Sequence, residues 1–208
     1  MFTLQRWQCV AVGLLLTAAT ASAQGAPRRE PGAAPPGNMW SHGTTLNVFT
    51  GGALGGGDRA SVRGGGFGWE IKPWFGLEGS ATWIDWDKDA HAFTPAITAQ
   101  VGLLTAHRAV PFVMGGVGLY HASFDRVDVG MPQFYRRRMT AMNDLATAVT
   151  FTDPSVVGGG GVNVFVTRKW TIRPEVLATM VVRDSRSFAV TTAAVRLAYH
   201  FEDHPVTP

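Results

Sequence analysis

The feature that most constrains this chain is a two-residue alternation in which one face is wholly apolar and the other mixes glycine with charge. It is clearest between Val156 and Val182. In Gly161-Val162-Asn163-Val164-Phe165-Val166 the valines recur at every second position, which places them on one face of an extended strand. Past a basic turn at Thr167-Arg168-Lys169 the pattern resumes. Ile172, Pro174, Val176, Ala178, Met180 and Val182 share one face, and Arg173, Glu175 and Thr179 take the other. The segment predicts a β-hairpin, and the open question is which of its faces meets water.

The same alternation runs through six further segments, in Thr44–Thr50, Ser61–Ile71, Trp74–Asp85, Ala92–Leu104, Val110–His121 and Phe188–Phe201. Together with the hairpin they predict an all-β fold, an eight-stranded antiparallel up-and-down barrel over residues 44–201. Lys72-Pro73, His107-Arg108 and Arg168-Lys169 read as tight turns. Gly51–Ala60, the acidic Trp86–His91 and the irregular Ala122–Asp153 read as longer loops, with Asp184–Ser187 a short fourth member. In an up-and-down barrel every second connection emerges at the same end, so short turns are expected on one rim and long loops on the other. Outer-membrane barrels have that asymmetry.

The flanking segments bear on the compartment. Residues 1–23 carry Arg6, an apolar stretch from Val10 to Leu16 and Ala21-Ser22-Ala23, the pattern of a secretory signal peptide. The single cysteine, Cys9, lies within it, so disulfides are not expected to hold the exported chain together. Residues 24–43 form a Pro/Gly/Ala-rich leader that cannot bury a core, and 202–208 read as a C-terminal tail. No later stretch supplies the roughly eighteen apolar residues of a transmembrane helix. A formal charge of +3, without a basic stripe, gives no reason to expect nucleic acid as a partner.

Two sequence features favour lipid on the apolar face over a soluble barrel that turns it inward. Gly64, Gly66, Gly68, Gly76, Gly102, Gly116, Gly118, Gly159 and Gly161 all fall on the charged face. So many glycines weaken a water-facing strand, but inside a narrow barrel they leave room for a few large side chains. The apolar face also carries aromatics near both ends. Phe75 and Trp83 are separated by roughly 26 Å at ~3.3 Å per residue, about 20 Å in height on a tilted strand. Trp69, Phe75, Tyr199 and Phe201 are expected at one membrane interface and Trp83 at the other.

Pro111-Phe112-Val113-Met114-Gly115-Gly116-Val117-Gly118-Leu119-Tyr120, Gly158-Gly159-Gly160-Gly161-Val162-Asn163-Val164-Phe165 and Arg173-Pro174-Glu175 resemble the recurring segments of the small outer-membrane β-barrel family typified by the barrel domain of outer membrane protein A. The resemblance spans Thr44 to Phe201 and leaves no room for a peptidoglycan-binding domain. Tyr199-x-Phe201 is similar to the aromatic strand signal read by the barrel-assembly machinery, although Glu202–Pro208 follows it here. The resemblance implies an outer-membrane location after export to the periplasm. It also implies lipid and lipopolysaccharide as surroundings, the assembly machinery as a partner during biogenesis, and no cofactor.

With this orientation Glu70, Glu78, Arg173, Glu175 and Arg196 point into the lumen, with Gln100 and Asn163. Buried charges are costly unless paired, so an ion-pair network centred on Arg173 and Arg196 is expected, in a lumen that side chains fill. A narrow pore is the other reading of such a lining. His121-Ala122-Ser123 resembles the His-x-Ser pair of lipid A deacylases, which are also small barrels, but the asparagine expected after the serine is Phe124 and no suitably spaced glutamate follows. Arg136-Arg137-Arg138 offers guanidinium forks that match phosphate, and a solvated loop is the plainer role. No histidine spacing suits a metal.

Overall fold

In the computed structural model the described residues are 43–72, 74–87, 90–103, 108–125, 148–183 and 186–202. They form eight strands in chain order: β1 (Gly43–Gly55), β2 (Asp58–Lys72), β3 (Phe75–Asp87), β4 (Ala90–Gly102), β5 (Ala109–Asp125), β6 (Ala148–Phe165), β7 (Trp170–Arg183) and β8 (Arg186–His200). Each pairs antiparallel with the next, and β1 pairs with β8 to close a barrel. At that seam Thr45 lies opposite His200 and Gly55 opposite Val190. Glu202 adds a side-chain tie, its carboxylate accepting from the Thr44 backbone N–H at 2.6 Å and from the Thr44 hydroxyl at 3.1 Å.

The expected strands are present, but the expected alternation of short turns and long loops is not. Gly51–Gly55 continues β1, because β2 and β8 supply partners on both sides as far as its last residue. Gly56 and Gly57 alone then reverse the chain with φ of 61° and 100°, the left-handed backbone that two-residue hairpins use to match strand twist. Likewise β3 and β4 run to within two residues of each other, so Trp86 is a wall residue whose side chain is buried. Strand β5 extends to Asp125 and β6 starts at Ala148, which shortens the expected 122–153 loop from both sides. Short connections therefore occur on both rims, at 73–74 and 166–169 on the chain-end rim and at 56–57, 88–89 and 184–185 on the other, which also carries the long connection at 126–147. Residues 1–42, His107, the Arg136–Arg138 run and the tail beyond Glu202 lie outside the described residues.

Orientation of the faces is unambiguous. Ile97 and Val117 are 66% and 64% exposed, and Leu46, Val48, Phe67, Trp69, Val113, Val164 and Leu197 join them on the outside. Arg196 is 1% exposed and Glu78 4%. A soluble barrel has the reverse polarity, whereas an apolar outer wall of this extent is what acyl chains cover. The chain is a transmembrane β-barrel.

The lumen is built in two tiers. Towards the Gly56–Gly57 rim it holds an apolar core of Phe49, Val62, Ile84, Trp86, Ala92, Tyr120, Phe124, Val181, Phe188 and Val190 with smaller neighbours. The Tyr120 and Phe188 rings meet edge to face at 6.2 Å. Towards the rim that carries the chain ends the filling is polar and charged. A nitroxide attached at Val117 is expected to relax with oxygen dissolved in lipid, and one at Asn163, in the polar tier, with an aqueous nickel reagent. The reverse pattern in membranes would overturn this orientation.

Candidate functional site

Four ionised side chains meet in the lumen: Glu78 from β3, Arg173 and Glu175 from β7, and Arg196 from β8. Arg173 and Arg196 lie directly opposite each other in the β7–β8 pair, an unfavourable arrangement for like charges. Two carboxylates resolve it. Glu78 reaches across from the far wall to within 2.7 Å of Arg173 Nη2 and 2.8 Å of Arg196 Nη1. Glu175 lies 2.6 Å from Arg196 Nη2 and 3.1 Å from Arg173 Nε. That second contact is an ion pair without hydrogen-bond geometry, since neither Arg173 Nε nor Glu175 Oε2 has a hydrogen-bond partner. Each arginine thus touches both glutamates, and the formal charges of the four cancel.

Neutral groups complete the shell. Arg196 Nη1 donates to Asn47 Oδ1 at 2.6 Å, Asn47 Nδ2 donates to Glu78 Oε2 at 3.2 Å, and Arg173 Nη1 donates to Gln100 Oε1 at 3.0 Å. Arg196 lies 4.1 Å from the centroid of the Phe49 ring and Arg173 5.4 Å from that of Phe112, cation–π contacts that gain strength where water is scarce. Glycine makes the room. A Cβ at Gly64 would overlap the Phe49 ring and the Ala81 carbonyl, and one at Gly161 would strike the Pro174 carbonyl beside Glu175.

Glu70 does not join this cluster. Its carboxylate stands 3.6 Å from His200 Nδ1, and His200 Nε2 pairs with Thr171 Oγ1 at 2.9 Å. Glu70, Gln100, Asn163, Arg173 and His200 line a recess of about 50 Å³ on the chain-end side. That is space for a few waters.

The aromatics expected at the membrane interfaces lie on the outer wall. Trp69 and Phe201 are exposed, Tyr199 contacts Phe201 at 5.4 Å, Phe75 contacts Trp74 at 5.8 Å, and Trp83 stacks on His91 at 5.0 Å. Trp170, 5.0 Å from Tyr199, and Trp74, with Lys72 over its ring, lie beside them at the chain-end rim. His121 and Ser123 also face outward, but each pairs across to β6: His121 Nδ1 with Thr152 Oγ1 at 2.7 Å, and Ser123 Oγ with the Thr150 hydroxyl at 3.4 Å. Among the described residues no hydrogen bond joins the two, and no group of three or more His, Cys, Asp or Glu is placed to hold a metal.

Reading the sequence missed Asn47, Phe49 and Phe112. Asn47 carried a usable signal, being a polar residue at the inward position between Leu46 and Val48. The two phenylalanines carried none, because an apolar residue at an inward position looks like an interruption of the pattern until the guanidinium it covers is known.

The arrangement satisfies its own charges and leaves none directed at an outside ligand. It spans the lumen from β3 to β7 and β8. The solved structures similar to this one have the same closed form. The N-terminal β-barrel domain of OprF from Pseudomonas aeruginosa matches with a TM-score of 0.53 at 14% identity, over 76% of this chain and 97% of that one. Neisserial surface protein A matches with a TM-score of 0.57 at 11% identity, over 77% and 97%. No curated protein matches the chain in sequence. The model of the outer membrane protein β-barrel domain matches residues 9–201, and with the closed wall and its apolar exterior this makes the chain a member of that family.

Proposed function

We propose that the protein is a non-conducting, non-catalytic barrel of the outer membrane, structural or surface-interacting in role, whose partners meet its exterior and its outer rim. The observation that carries this is the filling of the lumen. Glu78 bridges the barrel's width to Arg173 and Arg196, and the apolar core from Phe49 to Val190 closes the tier above. With the interior closed twice, contact with other molecules is left to the outside. In this reading residues 1–23 direct export to the periplasm, the barrel-assembly machinery inserts the chain, and lipid and lipopolysaccharide surround it.

Planar-bilayer recording tests the closed lumen. The wild-type protein is expected to give no discrete conductance steps, and neither is a Glu78→Ala variant, because the apolar tier remains. Regular single-channel steps from the wild type would replace this reading with the narrow pore. Stability should respond where conductance does not. Glu78→Ala leaves two opposed arginines with one carboxylate and is expected to cost about 3–5 kcal/mol, against about 1 kcal/mol for Gln100→Ala, which removes a single hydrogen bond. Urea titration in lipid vesicles, followed by gel mobility of the folded form, measures both.

The hydrolase reading has the outward pair His121 and Ser123 in its favour and their separate attachment to Thr152 and Thr150 against it. Cells producing the wild type and Ser123→Ala are expected to carry identically acylated lipid A. A loss of deacylated species in the variant would make the protein an enzyme.

A further inference from the structure

The wall of this barrel changes polarity along its own axis. From the chain-end rim, β2 to β6 present Trp69 and Phe67, Leu77 and Ala81, Ile97 and Phe93, Val113 and Leu119, and Val164 and Val156 to the outside. Each strand spends about ten residues on this apolar band, the length a tilted strand needs to cross the hydrocarbon. All five then continue. Beyond the band their outward side chains become Arg63 on β2, Trp83 and then Asp85 on β3, His91 on β4, His121 and Ser123 on β5, and, past Pro154, Thr152 and Thr150 on β6. Adjoining strands align them: Arg63 pairs with Trp83, Asp85 with His91, His91 with Ser123 and Ser123 with Thr150.

Behind this row the inward side chains are mostly apolar: Val62, Ile84, Trp86, Ala92, Ala122 and Phe124 are buried in the apolar core, with the buried Asp153 of β6 the polar exception. Polar outside and apolar inside is the polarity of a water-exposed barrel. The strands therefore rise out of the hydrocarbon as a collar that begins at headgroup height.

The chemistry of the collar's outer face is specific. Around Trp83 the one ion pair among the described residues, Arg63 to Asp85 at 3.3 Å, is internal, so this part of the face offers a phosphate no uncompensated charge, and the exposed Arg59 lies beyond it towards the Gly56–Gly57 rim. The face offers hydroxyls and imidazoles on Ser123, Thr150, Thr152 and His121, and an indole fixed in place. Trp83 Nε1 donates to Asp85 at 2.6 Å while the ring stacks on His91 at 5.0 Å and an interplanar angle of 12°. An aromatic edge beside paired charge and several small donor-acceptor groups suits a neutral, hydroxyl-rich ring. We propose that the collar face around Trp83 and His91 is a contact surface for the saccharide portions of lipids in the outer leaflet. The proposal rests on the closed surface-barrel reading but not on whether the lumen conducts.

The test uses the full chain carrying Cys9→Ser and Ser61→Cys. Ser61 is outward and exposed, lies opposite Asp85 and takes no part in the contacts above. Labelling by a membrane-impermeant maleimide is followed in phosphatidylcholine vesicles alone, with digalactosyl diacylglycerol, or with phosphatidylglycerol. Ser61→Cys is expected to react readily in phosphatidylcholine, several-fold more slowly with the glycolipid, and at an unchanged rate with phosphatidylglycerol, while an Ile97→Cys control stays unreactive throughout. Adding Trp83→Ala, with folding checked by heat-modifiable gel mobility, is expected to abolish the glycolipid protection.

Lack of reaction in phosphatidylcholine would put the collar in the hydrocarbon and overturn the proposal. So would equal protection by phosphatidylglycerol, or glycolipid protection that survives Trp83→Ala, which reports crowding alone. Equal protection by a soluble disaccharide would support the surface and assign its sugar to free glycans. None of these outcomes bears on the conductance recordings, so the two readings fail separately.

Discussion

Everything in this molecule depends on a backbone that has to satisfy its hydrogen bonds without water. In hydrocarbon an unpaired N–H or C=O has no alternative partner, so a sheet must close on itself or stay out of the membrane. The pairing of β1 with β8 achieves this over nearly the whole of β1, from Thr45 opposite His200 to Gly55 opposite Val190. Once closure is imposed, the two faces of every strand are divided between lipid and lumen. The alternation of side chains then follows as a consequence, with Val113 and Val117 outside and Phe112 and Met114 within.

Closure at eight strands also fixes the size of the interior, which is just wide enough for side chains to fill. That explains why glycine and arginine occur together on the same face. Arg173 and Arg196 need length to meet Glu78 from the opposite wall, and Phe49 needs the space that Gly64 leaves. The electrostatics are compact for the same reason. Two opposed guanidinium groups are tolerated because each touches both carboxylates, and the surrounding amides and rings supply what water would otherwise provide.

The periodic part of the sequence was legible and its interruptions were not. Val162, Val164 and Ile172 announced their face because lipid rewards every second residue alike, and Arg173, Glu175 and Arg196 stood out as charges with the opposite parity. Gly51, Gly52 and Trp86 misled because glycine runs and acidic neighbours usually mark loops, whereas here Gly51 and Gly52 have partner strands on both sides and Trp86 sits at an irregularity in a β3–β4 ladder that resumes at Asp87. The joining of Glu78 to two arginines roughly a hundred residues away could be expected from the cost of buried charge, but not located. The separate placement of Glu70 beside His200 depends on height along the barrel, a coordinate that strand parity does not contain.

The bond between Glu202 and Thr44 has a bearing on how such a wall comes into being. The residue that secures the start of the first strand lies just past the end of the last, so the seam joins the earliest and latest parts of the barrel to be made. Without the eighth strand the first keeps an open edge, so sealing the wall requires both ends of the barrel to be present together.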